Sequence, residues 1–400
     1  MMLRMLSTVI VTLLLLVRVA SAYDGVVEKK TFAMPAYTTV NGQTIKNVRI
    51  GWESYGTLNA AKDNVILVTH FYSGTSHAAG RYAAADAAPG YWDAIIGSGK
   101  PIDTDRFFVL SSDTLVNLNV KDPTVVTTGP ASVNPDTGKP YGMTFPIVTI
   151  RDFVNVQKAL LDSLGIKKLR AVAGASMGSL QAYEWAAAYP DMVERIIPVI
   201  PAAQSNAFLI EWLDVWAAPI RLDANWNNGD YYGRAEPVQG LAVALKTVTI
   251  HARHWGWADK TFGRKWANPD RDPAKDWANR FLIEEAIDKA AAARAKVSDA
   301  NSFLYLARAN QLFITGHRGT LEEGFKDIKA KILMIPAASD ILLFPAWSKD
   351  AMDVLKQQGK RVDYVEIAGD GGHLDGVTGI AQAGGSDPKI LERVSTRRAR

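Results

Sequence analysis

Short β-branched and aliphatic runs alternate along this chain with stretches whose apolar positions recur at helical spacing. The runs are 64–69, 106–110, 169–173, 195–200, 331–336 and 362–367, and each is short enough for a buried strand. Between them, Thr149 followed three residues later by Asp152 forms a capping-box pattern, and Phe153, Val154, Val156, Leu160 and Leu161 follow with helical periodicity until Gly165. Strands alternating with helices predict a mostly parallel central sheet covered on both faces. The rhythm stops from about Ala203 to Gly324, where the sequence is helical and carries Trp212, Trp216, Trp226, Trp255, Trp257, Trp266 and Trp277. It resumes at Lys331. An insertion inside one alternating pattern predicts a helical cap over the carboxyl edge of the sheet, where open α/β sheets bind ligands. Most of the tryptophans are expected to pack cap against core, because such rings bury large areas where helices meet.

Composition adds limits. The first 22 residues read as a signal peptide: Arg4 gives a positive start, residues 9–17 an apolar stretch, and Ala20-Ser21-Ala22 a processing site. The apolar stretch is too short to span a bilayer. Export is therefore expected, periplasmic or secreted, with no membrane insertion after cleavage. The expected organisation is a signal peptide at 1–22, a first core part at 23–202, a cap at 203–324 and a second core part at 325–400. The chain has no cysteine, so packing alone must stabilise it. Lys plus Arg is 45 against 41 for Asp plus Glu, which is no footprint for nucleic acid. The basic end at Arg397, Arg398 and Arg400 reads as a solvated tail.

The strongest chemical signal is Gly174-Ala175-Ser176-Met177-Gly178, placed between the run at 169–173 and a helix expected to begin near Leu180. In that context it describes a nucleophile elbow, whose small flanking residues let the backbone turn sharply and expose the serine. This predicts an α/β-hydrolase fold. A serine hydroxyl needs a base to take its proton and an acid to orient that base, in the chain order Ser, acid, His. His373 ends the glycine-rich turn after 362–367, and Asp340 follows 331–336, so both fall at strand carboxyl ends. Asp370 and Asp375 are too near His373 along the chain and read as turn residues. His317 reads as structural or substrate-facing. The oxyanion donors are expected to be the amides of Met177 and Tyr72, the latter in His70-Phe71-Tyr72-Ser73-Gly74, with His70 bracing that loop. His251 and His254 lack an acidic partner at metal-site spacing and read as cap packing. No dinucleotide or phosphate-loop fingerprint occurs, so no cofactor is expected.

The chain resembles the homoserine O-acetyltransferase family from about Lys46 to His373. The likeness rests on His70 to Gly80 with Ser76-His77-Ala78-Ala79-Gly80, Asn134 to Gly142, and Phe145 to Asp152. It also rests on the elbow, on Ser339-Asp340 with Phe344-Pro345, and on the cap segments Trp226 to Tyr231 and Asp299 to Leu306. The resemblance implies that Ser176, Asp340 and His373 stand at the family's triad positions and that acetyl transfer is the usual activity. Thr114 to Val126 stands where the family has a glycine-rich stretch. Ala217 stands where it has a cap arginine, with Arg221 a helical turn away.

An exported enzyme would lack acetyl-CoA, so the expected reaction is hydrolysis of small acetyl-type esters outside the cytoplasm. O-acetyl transfer from acetyl-CoA is the alternative, and a binding protein with a vestigial triad is a second. The expected partner is a small-molecule ester or acyl substrate, and a homodimer is open.

Overall fold

The computed structural model describes residues 25–383, so the signal segment at 1–22 and the basic end lie outside the described residues. Eight strands form one sheet: β1 Lys30–Thr38, β2 Thr44–Tyr55, β3 Val65–Thr69, β4 Phe108–Ser112, β5 Ala171–Ala175, β6 Arg195–Val199, β7 Lys331–Met334 and β8 Val362–Tyr364. Their order is β1-β2-β4-β3-β5-β6-β7-β8. From β4 onward every neighbour is parallel, whereas β1–β2 and β2–β4 are antiparallel. The central strands β3, β4 and β5 are buried at every position, which is why they read as unbroken apolar runs.

Two strand boundaries differ from expectation. The run at 106–110 becomes Phe108–Ser112, and that at 169–173 becomes Ala171–Ala175, because polar and small residues at the carboxyl ends still complete the ladder with β3. The runs ending at Pro336 and Ile367 finish earlier as ladders, at Met334 and Tyr364, but the isolated bridges Val199 to Ile335 and Ala337 to Ile367 prolong both pairings. The hairpin of β1 and β2 was not foreseen. β1 is an edge strand whose inner face, with Phe32, Met34 and Tyr37, is only half-buried, and Asn47, opposite Pro35, takes φ 53°, which breaks the alternation of β2.

Helix α1 (Ile150–Ser163) carries the expected capping box: the Thr149 side chain accepts from the Asp152 amide, and Asp152 accepts from the Thr149 amide at 2.7 Å. The other carboxylate oxygen of Asp152 accepts from Tyr37 Oη at 2.7 Å and from the Val40 amide at 2.8 Å, so one side chain starts the helix and holds the hairpin. Helix α2 (Met177–Ala188) follows β5 directly and begins three residues before the expected Leu180.

Between β6 and β7 run α3 (Ala207–Leu222), α4 (Val238–His251), α5 (Trp255–Thr261), α6 (Leu282–Ala295), α7 (Ala300–Gln311) and α8 (Leu321–Phe325). Entry and exit of this helical segment are paired, with Ser205 N–H donating to Phe313 O and Thr315 N–H to Ala203 O. Leu209, Leu213 and Trp216 of α3 share one apolar cluster with Tyr72 and Met177 of the core. The tryptophans divide. Trp216 is buried and Trp212 and Trp226 pack partly against the cluster, but Trp255 is 69% exposed and Trp277 fully exposed, so those two do not serve as packing. Helix α9 (Pro345–Gln357) starts with proline in its first turn, where no intrahelical donor is lost.

The tightest constraint lies between β3 and the turn after β5. A Cβ on Gly178 would stand 2.1 Å from the Thr69 carbonyl oxygen, and one on Gly174 would stand 2.1 Å from Thr69 Oγ1. Gly178→Ala is expected to destabilise the protein by about 2 kcal/mol or more, since backbone has to move to admit the methyl. Thermal unfolding reads this, and a wild-type melting curve would contradict it.

Candidate active site

Ser176 links β5 to α2 and takes φ 55°, ψ −121°, outside the helical and extended regions. The position is strained for a residue with a Cβ, and the packing of Thr69 against the two glycines holds it there. Thr69 Oγ1 also donates to the Gly178 carbonyl at 2.8 Å, which fixes the first turn of α2. Ser176 is partly exposed while both its neighbours are buried. The Met177 amide opens α2 and, as a first-turn donor, has no intrahelical acceptor.

Asp340 and His373 arrive from the turns after β7 and β8. The Asp340 carboxylate is buried; Oδ1 accepts from the amides of Leu342 at 2.8 Å and Leu343 at 3.0 Å, and Oδ2 accepts from His373 Nδ1 at 2.6 Å. Because Nδ1 donates to a carboxylate, the lone pair of the neutral ring sits on Nε2, which is buried and has no hydrogen-bond partner among the described residues. The two turns are also joined by the Gly372 amide, which donates to Ser339 Oγ at 3.1 Å. Asp370 and Asp375 behave as turn residues: Asp375 accepts from the Gly371 amide at 3.0 Å, and Asp370 faces Lys260 at 3.6 Å.

Tyr72 occupies the turn closed by the Gly74 amide on the Phe71 carbonyl at 2.8 Å, a turn that makes no use of the Tyr72 amide. Its side chain leaves the turn toward the cap, where Oη donates to the Phe303 carbonyl at 2.6 Å. His70 is fully buried, and Nδ1 donates to the Phe71 carbonyl at 2.8 Å, as a brace requires. Burial lowers its basicity. His317 is exposed, with φ 54°, on the surface beside buried Glu184. Arg221, the shifted cap arginine, is held by both oxygens of Asp214 at 2.9 Å, and Ala217 is buried.

A group of charges around Ser76 and His77 was missed by sequence reasoning. Glu53 of β2 is fully buried and meets Lys29 at 2.8 Å, His77 Nδ1 at 3.0 Å, and the hydroxyls of Tyr55 at 2.9 Å and Tyr82 at 2.5 Å. Asp113, at the end of β4, accepts from the amides of Ser76 at 2.8 Å and Val126 at 3.0 Å, and Lys29 also donates to Ser76 Oγ. The motif Ser76-His77-Ala78-Ala79-Gly80 thus folds around buried carboxylates. The signal was Glu53 at the buried end of β2, two residues from Tyr55. Burial alone would raise the Glu53 carboxyl, but hydrogen bonds from His77, Lys29 and Tyr82 and the Lys29 charge win and hold it at about 2. Asp113 shifts upward instead, because burial outweighs its partners.

Comparison with known proteins fits this geometry. The family described as the alpha/beta hydrolase fold matches residues 97–375. A homoserine O-acetyltransferase of Methanococcoides burtonii is 41% identical over 83% of this chain and 67% of its own length. Among solved structures, esterase E22 is 53% identical with a TM-score of 0.87, covering 92% of this chain and 99% of that one. The homoserine O-acetyltransferase of Bacillus anthracis is 37% identical with a TM-score of 0.88, over 94% and 99%. The fold and the turns at its carboxyl edge define an α/β-hydrolase enzyme that transfers acyl groups. Within that class, the chain belongs to the homoserine O-acetyltransferase family, which works without a cofactor, acetyl-CoA being a substrate only.

Lys29→Met leaves two buried carboxylates without their cation, a change worth about 3–5 kcal/mol in comparable buried pairs. In the wild type the depressed Glu53 group adds stability that is complete above its unfolded value near 4.5 and is lost as pH falls to about 2. In the variant its folded value climbs, so acid unfolding followed by circular dichroism is expected to have its midpoint at higher pH. An unchanged midpoint would contradict this account of the loop.

Proposed function

We propose that the protein transfers acyl groups through an acyl-enzyme on Ser176, with His373 as the base, Asp340 as the group that orients it, and the amides of Met177 and Tyr72 as oxyanion donors. The observation that carries this reading is the joint arrangement of a strained, partly exposed serine and a buried imidazole whose Nδ1 is held at 2.6 Å by Asp340, leaving Nε2 unpartnered. In the reaction the Ser176 oxygen attacks the acyl carbonyl while His373 Nε2 takes its proton. The tetrahedral oxyanion receives the two amides. Collapse expels the alcohol or thiol, which takes the proton back from Nε2. A second nucleophile then repeats the sequence in reverse. The complete set of parts speaks against a vestigial triad.

Two acceptors have support. The family and its named relatives support an alcohol acceptor, as in homoserine O-acetyl transfer from acetyl-CoA, and they support it better than the hydrolysis expected from sequence. Hydrolysis of small esters has specific support of its own. The chain is 53% identical to a protein named an esterase, Ala217 stands at the cap arginine position, and Arg221 is engaged by Asp214. An exported location, which the leading segment 1–22 suggests, would remove acetyl-CoA and favour water.

Ser176→Ala is expected to lower turnover of p-nitrophenyl acetate by ~10⁴-fold or more with the fold intact, because the triad acts as a unit. Retained turnover would overturn the assignment. Parallel assays with p-nitrophenyl acetate, and with acetyl-CoA plus homoserine, decide the acceptor. CoA release that depends on homoserine and outpaces ester hydrolysis establishes transfer, and ester hydrolysis without it establishes the esterase.

A further inference from the structure

The carboxyl end of α4 touches the turns of both Asp340 and His373, although it comes from the helical segment between β6 and β7. The Leu374 amide donates to the Ala252 carbonyl at 3.3 Å. A Cβ on Gly372 would lie 2.6 Å from the His254 nitrogen and 2.9 Å from the Arg253 carbonyl carbon, so the histidine turn is pressed against this backbone. His251, the last residue of α4, is 9% exposed. Trp216 Nε1 donates to His251 Nδ1 at 3.2 Å, and the ring faces the backbone of Ile341, the residue after Asp340. An indole N–H only donates, so Nδ1 is the accepting nitrogen and the neutral ring carries its hydrogen on Nε2. The ring also lies 4.1 Å from that of Trp212. Trp216 in turn meets the Tyr72 ring edge to face at 5.8 Å. One imidazole therefore connects the acid turn to α3 and, through Trp216, to the loop whose amide is assigned to the oxyanion.

We propose that His251 is a positioning residue for acyl transfer: it holds the Asp340 turn at a fixed height over Ser176 and couples it through Trp216 to the oxyanion loop. This rests on the triad reading of Ser176, Asp340 and His373. His251 touches no reacting atom; it acts by limiting where Asp340, and with it His373, can stand. Burial first, and the nearby His373 second, lower its basicity to about 4, so the ring keeps this bonding pattern at neutral pH. The titratable groups facing it are His373 and Asp340, both from the core.

The test uses the full chain with p-nitrophenyl acetate and compares wild type, His251→Phe, His251→Gln and Trp216→Phe, with Ser176→Ala as the control for the underlying reading. Displacement of a catalytic group by about 1 Å costs up to ~10²-fold. His251→Phe, which keeps an aromatic ring but loses both ring nitrogens and the bond from Trp216, is expected to lower kcat by ~10- to 100-fold with KM within ~3-fold. His251→Gln, which can accept and donate, is expected to recover part of the loss. The acid limb of the kcat/KM profile is expected to move to lower pH in His251→Phe, because a poorly held carboxylate stabilises the imidazolium less. A purely structural role would lower the melting temperature and the titratable fraction of enzyme without moving that limb.

Kcat within ~2-fold of wild type in folded His251→Phe, or an unmoved acid limb, would overturn the proposal. If His251→Phe does not fold, Trp216→Phe decides: a kcat loss with the same shift supports the proposal, and a wild-type profile overturns it. Turnover retained by Ser176→Ala would instead overturn the triad reading, whereas an inactive Ser176→Ala beside a normal His251→Phe would remove only this inference.

Discussion

The close approach of Thr69 to Gly174 and Gly178 is the contact on which the rest of the site depends. With no Cβ at either glycine, β3 and the start of α2 come together around β5, and Thr69 Oγ1 bonds the Gly178 carbonyl at 2.8 Å. The backbone between them must reverse within a single residue. That residue is Ser176, and its positive φ is the local cost of the turn. The same geometry exposes the hydroxyl at the carboxyl edge of the sheet and opens α2 with the free amide of Met177. The proposed nucleophile and one proposed oxyanion donor are thus consequences of one packing constraint.

The remaining parts are brought to this point by loops, and each loop is tied down by polar bonds in a buried setting. The Asp340 turn is fixed by two backbone amides and by His373. The oxyanion loop rests on His70 from within and on Lys29, Glu53 and Asp113 from below. Ionised Glu53 stabilises the fold only through its partners, and Asp113 does not, because burial outweighs its own. Burying them is costly, and the partners around them offset that cost only while Lys29 and the amides stay in place. Such an arrangement fixes geometry through directional bonds, with Lys29 alone reaching Glu53, Asp113 and Ser76.

Much of this was legible from the sequence, for reasons that differ by residue. The central strands were visible because both sheet faces are covered, leaving no polar positions to interrupt them. Ser176, Asp340 and His373 stand out as candidates because each stands in a turn with its own composition, and the structure brings Asp340 and His373 together. The β1–β2 hairpin was not, since an edge strand with Pro35 and a break at Asn47 shows no clean period. Glu53 and Asp113 were missed because decisive partners lie far away along the chain: Lys29 and His77 for Glu53, Ser76 for Asp113. His251 read as packing, which it is, but the backbone that it faces, that of Ile341, belongs to the turn after β7 on the far side of the insertion.

The central claim is that Ser176 carries the acyl group during turnover. Rapid quenching of the full chain with p-nitrophenyl acetate, followed by peptide mass spectrometry, tests it most directly. The account predicts a burst of p-nitrophenol equal to the enzyme present and an acetyl group on the peptide containing Ser176. Steady turnover with the acetyl group on any other residue, or undiminished release of p-nitrophenol by Ser176→Ala, would contradict it.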